Sequence, residues 1–146
     1  MSQVPNALSS LEAFLGESPL RLVVIDDQPD AVLMLLTLLR TEGYEAHGFG
    51  SAVAAMRELK RLRPDVVISD VSMPYMNGWE LAREIRQVMG QQPTLIGISG
   101  HYTRGPDKAL AELSGFNFYL TKPYDPQALM ALLRPLAPNK FPPRAA

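Results

Sequence analysis

Cysteine is absent from the 146-residue chain, which excludes disulfides, thiolate zinc sites and cysteine nucleophiles at once. Histidine is scarce. The two copies, His47 and His101, stand in no histidine-kinase phosphoacceptor motif. Neither sign of charge dominates, with 14 Lys+Arg against 15 Asp+Glu. The densest basic stretch is Lys60-Arg61-x-Arg63, far short of a concentrated positive face, so no direct nucleic-acid contact is expected. No apolar run approaches bilayer length: the longest, Ala31 to Leu39, is about half of what a spanning helix needs, and membrane insertion is not expected. The N-terminus, Met1-Ser2-Gln3-Val4-Pro5, has no basic and apolar signal-peptide pattern. These absences leave a cytoplasmic globular protein as the expectation.

What is present is a rhythm. Apolar residues make up 47% and charged residues 20%, and a chain of this length can bury one proper core. Short β-branched runs alternate with helical patterns. The runs are Leu22-Val23-Val24-Ile25, Val66-Val67-Ile68, Leu95-Ile96-Gly97-Ile98 and Phe116 to Leu120, mostly continuous, as parallel strands covered on both faces should be. Tyr44 to Phe49 mixes Glu45 and His47 with apolar residues and suits an edge strand. Helix starts are marked by Pro29, Ser51, Asn77 with Glu80, Pro106, and Asp125-Pro126, and stops by Gly43 and Pro64. The order βαβαβαβαβα with right-handed crossovers predicts a doubly wound three-layer α/β/α domain around a five-stranded parallel sheet. Residues 20–134 hold this unit. Residues 1–19 form an extension with Leu8, Leu11 and Leu15 at helical spacing, and 135–146 carry four prolines and read as an extended tail.

The polar residues then fall into place. Asp26 and Asp27 follow the first strand, Asp70 the third, Ser99 ends the fourth, and Lys122 lies just beyond the fifth. Ligands of an open parallel sheet bind outside the carboxyl ends of its strands, so these groups should converge at one edge. Clustered carboxylates repel, and a hard cation such as Mg²⁺, or Mn²⁺ in its place, relieves them. Lys122 adds a positive charge suited to a phosphoryl oxygen. The set predicts a magnesium-assisted phosphoryl site with a carboxylate nucleophile. Taken singly, each residue has a plainer explanation: Asp27 as a helix cap, Lys122 as a loop lysine, Ser99 bonded to its own loop.

The stretches Asp26-Asp27, Asp70-Val71-Ser72-Met73-Pro74-Tyr75-Met76-Asn77-Gly78, Ser99 and Tyr119-Leu120-Thr121-Lys122-Pro123 resemble response-regulator receiver domains of two-component signalling, of the single-domain, chemotaxis-regulator-like kind, over Arg21 to Leu133. The resemblance implies a flavodoxin-like fold with strand order 2-1-3-4-5. It implies that Asp70 takes a phosphoryl group from a histidine kinase or histidine phosphotransfer protein. It assigns Mg²⁺ to Asp27, Asp70 and the Ser72 carbonyl, with Asp26 acting partly through water. Lys122 would pair with the carboxylate and then the phosphoryl group, while Ser99 and Tyr119 form the switch. Such a domain catalyses its own phosphorylation and dephosphorylation without being a conventional enzyme. Ser99 stands where Thr is commoner, Asn77 where many members have Asp, and Ser72 and His101 occupy the two variable flanking positions.

Rival readings have sequence features against them. A binding module independent of phosphorylation should lack an acceptor, acid or lysine, and none is missing. An aspartyl-nucleophile phosphatase places a second Asp two residues on, where Ser72 stands, and a dinucleotide enzyme needs a Gly-rich turn where Asp26-Asp27-Gln28-Pro29 stands. No attached output domain is expected after Leu133, which leaves a stand-alone regulator, a phosphorelay shuttle, or a receiver excised from a hybrid kinase, with the downstream effector unread. The first helix carries Leu33, Met34 and Leu38 outside its Val32/Leu35/Leu36/Leu39 stripe. That surplus fits a kinase-docking face, a surface covered by the N-terminal extension, or a homodimer contact.

Overall fold

The run Leu22-Val23-Val24-Ile25 becomes the centre of the sheet because its β-branched side chains fit a pleated surface buried on both sides. In the computed structural model, which describes residues 19–71, 78–100 and 115–137, it forms strand β1, Arg21–Ile25. Helix α1, Pro29–Thr41, follows with proline in its first turn, and Gly43 (φ 94°) turns the chain back into strand β2, Glu45–Phe49. Helix α2, Ala52–Leu62, is capped by Ser51, whose Oγ accepts the Ala54 amide at 3.1 Å. Strand β3, Val66–Asp70, leads towards helix α3, Gly78–Met89, and strand β4, Thr94–Ser99. Strand β5, Phe118–Thr121, and helix α4, Pro126–Leu133, capped by Asp125 on the Gln127 amide, complete the described unit.

All strand pairs are parallel, in the order β2-β1-β3-β4-β5. This is the flavodoxin-like arrangement expected from the sequence, with the mixed strand β2 at an edge. Alternation along the strands splits the core in two. Val23 and Ile25 face Ala55 and Leu59 of α2 and Leu81 and Ile85 of α3. Leu22 and Val24 face Leu35 and Leu39 of α1 and Leu129 and Leu133 of α4. Gly48 lets α1 lie close on β2, since a Cβ there would stand 2.5 Å from Val32 Cγ1.

Two local expectations shift. Strand β5 begins at Phe118 rather than Phe116, and Phe116 is buried in the core while Phe118 is 36% exposed. The cause is Arg86 on α3, whose guanidinium donates to the carbonyls of Gly115 and Pro93 and to Asn117 Oδ1. Asn117 Oδ1 also accepts the Leu95 amide at 2.8 Å, so residues 115–117 form an anchored turn before the strand. On α1, Leu33 and Met34 are exposed as the pattern implies, but Leu38 is half-buried against the second core half. Residues 134–136 continue α4 as a 3-10 turn, with Leu136 and Ala137 against the same half, where the sequence suggests an extended tail. The Asn77 cap, the helix from Pro106, the Leu8/Leu11/Leu15 segment and residues 138–146 lie outside the described residues. Among the described residues, no helix is long and apolar enough to cross a membrane.

Candidate functional site

Parallel strands end together, and here their ends carry the acids. Asp26 leaves β1 with its amide donated to the Phe49 carbonyl at the end of β2, 3.2 Å away. Its Oδ1 accepts the Gln28 amide at 2.9 Å, closing a tight turn before Pro29. Asp26, rather than Asp27, therefore makes the local turn bond, and Asp27 stays exposed. Asp70 is the last residue of β3, and the next amide, Val71, is tied to the Ile98 carbonyl of β4. Carboxylate oxygens of Asp26, Asp27 and Asp70 all lie within 4.8 Å of one another. Asp26 and Asp70 are buried, at 8% and 7% exposure.

Lys122 is the positive charge at this edge. Its amide donates to the Ser99 carbonyl at 2.9 Å, so the end of β4 fixes its backbone, and a cis bond to Pro123 follows. The ammonium Nζ stands 3.5 Å from Asp70 Oδ2 and 3.6 Å from Asp26 Oδ2. Ser99 is buried at the same edge. Tyr119 is not among the acids: it packs half-buried on the α2/α3 side, its ring 6.0 Å from that of Phe116. Ser72 and His101 lie outside the described residues.

The electrostatics follow from this crowding. Burial pushes the Asp26 carboxyl above its ordinary value; the Gln28 amide pulls it down, Asp70 pushes it up, Lys122 lowers it and Asp27 raises it. Among the described residues three carboxylates face one ammonium, an imbalance that a divalent cation would cancel. The donors are all oxygen, among the described residues, which suits a hard ion such as Mg²⁺ and not zinc. Sequence reasoning missed Tyr124 here. It lines the small cavity beneath Asp26, Asp70 and Lys122, and burial raises its hydroxyl pKa, an effect that Lys122 lessens and Asp26 reinforces. An aromatic two residues beyond the cis-proline lysine reads simply as core, so only its closeness to Lys122 in sequence signals a place at the site.

Comparison with known proteins decides the family. The model of the response regulator receiver domain matches residues 22–134. The chain belongs to the response-regulator receiver family. As a receiver of two-component systems it falls in a class of phosphoacceptors that interact with histidine kinases or phosphotransfer proteins, and whose acidic pocket generally binds Mg²⁺. An uncharacterised 14.6 kDa protein of Leptolyngbya boryana is 38% identical over 125 residues, spanning 85% of this receiver and 94% of that protein. The DNA-binding response regulator MtrA of Mycolicibacterium smegmatis is 33% identical over 114 residues, 78% of this chain but only 49% of MtrA. Among solved structures, the chemotaxis protein CheY4 of Vibrio cholerae superposes with a TM-score of 0.76 at 26% identity, covering 82% of this receiver and 99% of that chain. The receiver of the Pseudomonas aeruginosa sensor histidine kinase PA1611, solved with a magnesium ion in its active-site cleft, shares the fold at a TM-score of 0.74 and 24% identity, over 83% and 99% of the two chains.

Proposed function

We propose that Asp70 accepts a phosphoryl group from a phosphohistidine of a partner kinase or phosphotransfer protein. An Asp70 carboxylate oxygen attacks phosphorus, the P–N bond to the donor imidazole breaks, and the imidazole leaves with the electron pair and takes up a proton. The product is an acyl phosphate on Asp70. One observation carries the reading: the buried Asp70 lies within 4.8 Å of two other carboxylates and 3.5 Å from the Lys122 ammonium.

Asp27, Asp70 and the Ser72 carbonyl would hold Mg²⁺, with Asp26 engaging it partly through water. Bound there, the ion supplies positive charge that offsets the acids and the incoming phosphoryl oxygens. Lys122 exchanges its carboxylate partner for a phosphoryl oxygen, which explains why an ammonium on a flexible stem serves here. Ser99 donates a hydrogen bond to the phosphoryl group, and Tyr119 moves towards the space Ser99 leaves. Mass spectrometry of the intact chain tests this reading. After incubation with acetyl phosphate, one phosphoryl group should add with Mg²⁺ and almost none with excess chelator. Equal labelling in both would remove the metal from the mechanism.

A further inference from the structure

The small cavity under the acids measures about 60 Å³, with Asp26, Asp70, Lys122 and Tyr124 on its walls and aliphatic residues of β1, β3, β4 and α1 completing it. Tyr124 also stands, with Pro123, on the far wall of an apolar groove beside α1, opposite Met34 and Leu38. It borders both spaces, the apolar one and the charged one. We propose that Tyr124 is a positioning residue of the phosphoryl site, whose hydroxyl donates through a bound water to the Asp26 carboxylate and holds it in place for the cation. The effect on the cation rests on the Mg²⁺ reading of the acids, whereas the link between Tyr124 and Asp26 does not.

Three observations carry this assignment. The first is an unequal carboxylate. Asp26 is buried, and its Oδ1 accepts the Gln28 amide at 2.9 Å, while its Oδ2 stands 3.6 Å from the Lys122 ammonium, beyond hydrogen-bond length. Lys122 is shared with Asp70 at 3.5 Å. In the phosphorylation proposed above it turns to the phosphoryl oxygen, which takes this partner from Asp26. A buried carboxylate oxygen left without a donor is costly. The second is room. The cavity is larger than one water needs, and three charged groups with a hydroxyl give such a water its partners. The third is the placement of the phenol. The chain is fixed on both sides of it: the Lys122 amide donates to the Ser99 carbonyl at 2.9 Å, and Asp125 caps α4 through the Gln127 amide at 2.9 Å. The ring packs partly buried against the core half that holds Leu35 and Leu129. Phenylalanine would fill the same apolar space, and a hydroxyl carried there is tolerated where it finds a partner. Burial keeps the phenol protonated, and both Lys122 and Asp26 act on it, so it is a donor close to both charges.

Tyr124→Phe keeps the ring and removes the donor. The full chain and this variant, each with and without Asp26→Asn, are first unfolded by urea in excess chelator. Loss of a bond to a buried carboxylate should lower the midpoint by about 0.5 M or more where Asp26 is present. With Asp26→Asn the acceptor is neutral and its bond about half as strong, so the shift should fall by about half. Equal midpoints for Tyr124→Phe and the parent overturn the proposal, because the phenol is then packing alone. So does a shift of the same size beside Asp26→Asn, which would give the hydroxyl a different partner. The second measurement is calorimetric titration with Mg²⁺. A group that orients a metal-binding carboxylate through hydrogen bonds tunes affinity, so Tyr124→Phe should raise the dissociation constant about tenfold. A rise of less than about threefold, or tighter binding, overturns the positioning role. Absence of Mg²⁺ binding by the parent chain faults the cation reading instead, and the unfolding in chelator then decides whether Tyr124 serves Asp26.

Discussion

Burial and the neighbouring carboxylates of Asp70 and Asp27 hold Asp26 above the ordinary carboxylate range, against the opposing pull of the Gln28 amide and Lys122. An acid so placed favours its neutral form when folded, so its charge at neutral pH works against stability. Asp26→Asn keeps the acceptor for the Gln28 amide and removes the charge. In chelator, urea unfolding should show the variant more stable than the parent by about 1–2 kcal/mol. With Mg²⁺ at about 100 times its dissociation constant, the parent should gain about 2.7 kcal/mol and the variant less. A variant less stable than the parent in chelator would mean that Asp26 is well compensated without a metal. At Ser99 the limit is one of magnitude. A hydrogen bond to a charged group contributes about 1.5–3 kcal/mol, whereas carrying a switch from about 1:99 to 99:1 needs about 5.5 kcal/mol. In the switch proposed above, Lys122 and Tyr119 would have to share the work. Ser99→Ala should therefore still take up a phosphoryl group by intact mass yet bind its phosphorylation-dependent partner only weakly; near-normal partner binding would take Ser99 out of the switch.

The elements differ in how local their causes are. Helix α1 runs from Pro29 to Thr41 because a proline fixes its first turn and Gly43 permits the left-handed turn after it, and both signals lie in the adjoining sequence. Strand β5 is different: its start is displaced by a guanidinium that arrives from α3, 29 residues before Gly115. No local pattern in Phe116 to Leu120 could reveal that anchor. The contact of α1 with β2 is likewise non-local. A methyl group at Gly48 would meet Val32 Cγ1 at 2.5 Å and Leu36 Cδ1 at 2.9 Å, and a β-branched valine in a helix has little rotamer freedom to yield. Gly48→Ala should destabilise the domain by about 1–3 kcal/mol in thermal or urea unfolding, through displacement of α1. An unchanged midpoint would show that α1 gives way freely at this contact.

Across the whole molecule, the convergence of Asp26, Asp27, Asp70 and Lys122 was legible because parallel strands place their carboxyl ends at one edge whatever their order, whereas the order itself followed only from the family resemblance. Tyr119 and Tyr124 were harder to separate by sequence. Both are aromatic residues near Lys122, and only the fold puts Tyr124 beneath the acids and Tyr119 beside Phe116 on the opposite layer. The groove beside α1 shows in the sequence only as surplus leucine and methionine, since its second wall comes from the Pro123-Tyr124 turn, far along the chain. These layers share one central claim, that Asp70 is the residue the fold prepares for phosphorylation. Its most direct test is the intact mass of Asp70→Asn beside the parent chain after acetyl phosphate and Mg²⁺. The account predicts one added phosphoryl group on the parent and none on the variant, and labelling that persisted in full on Asp70→Asn would contradict it.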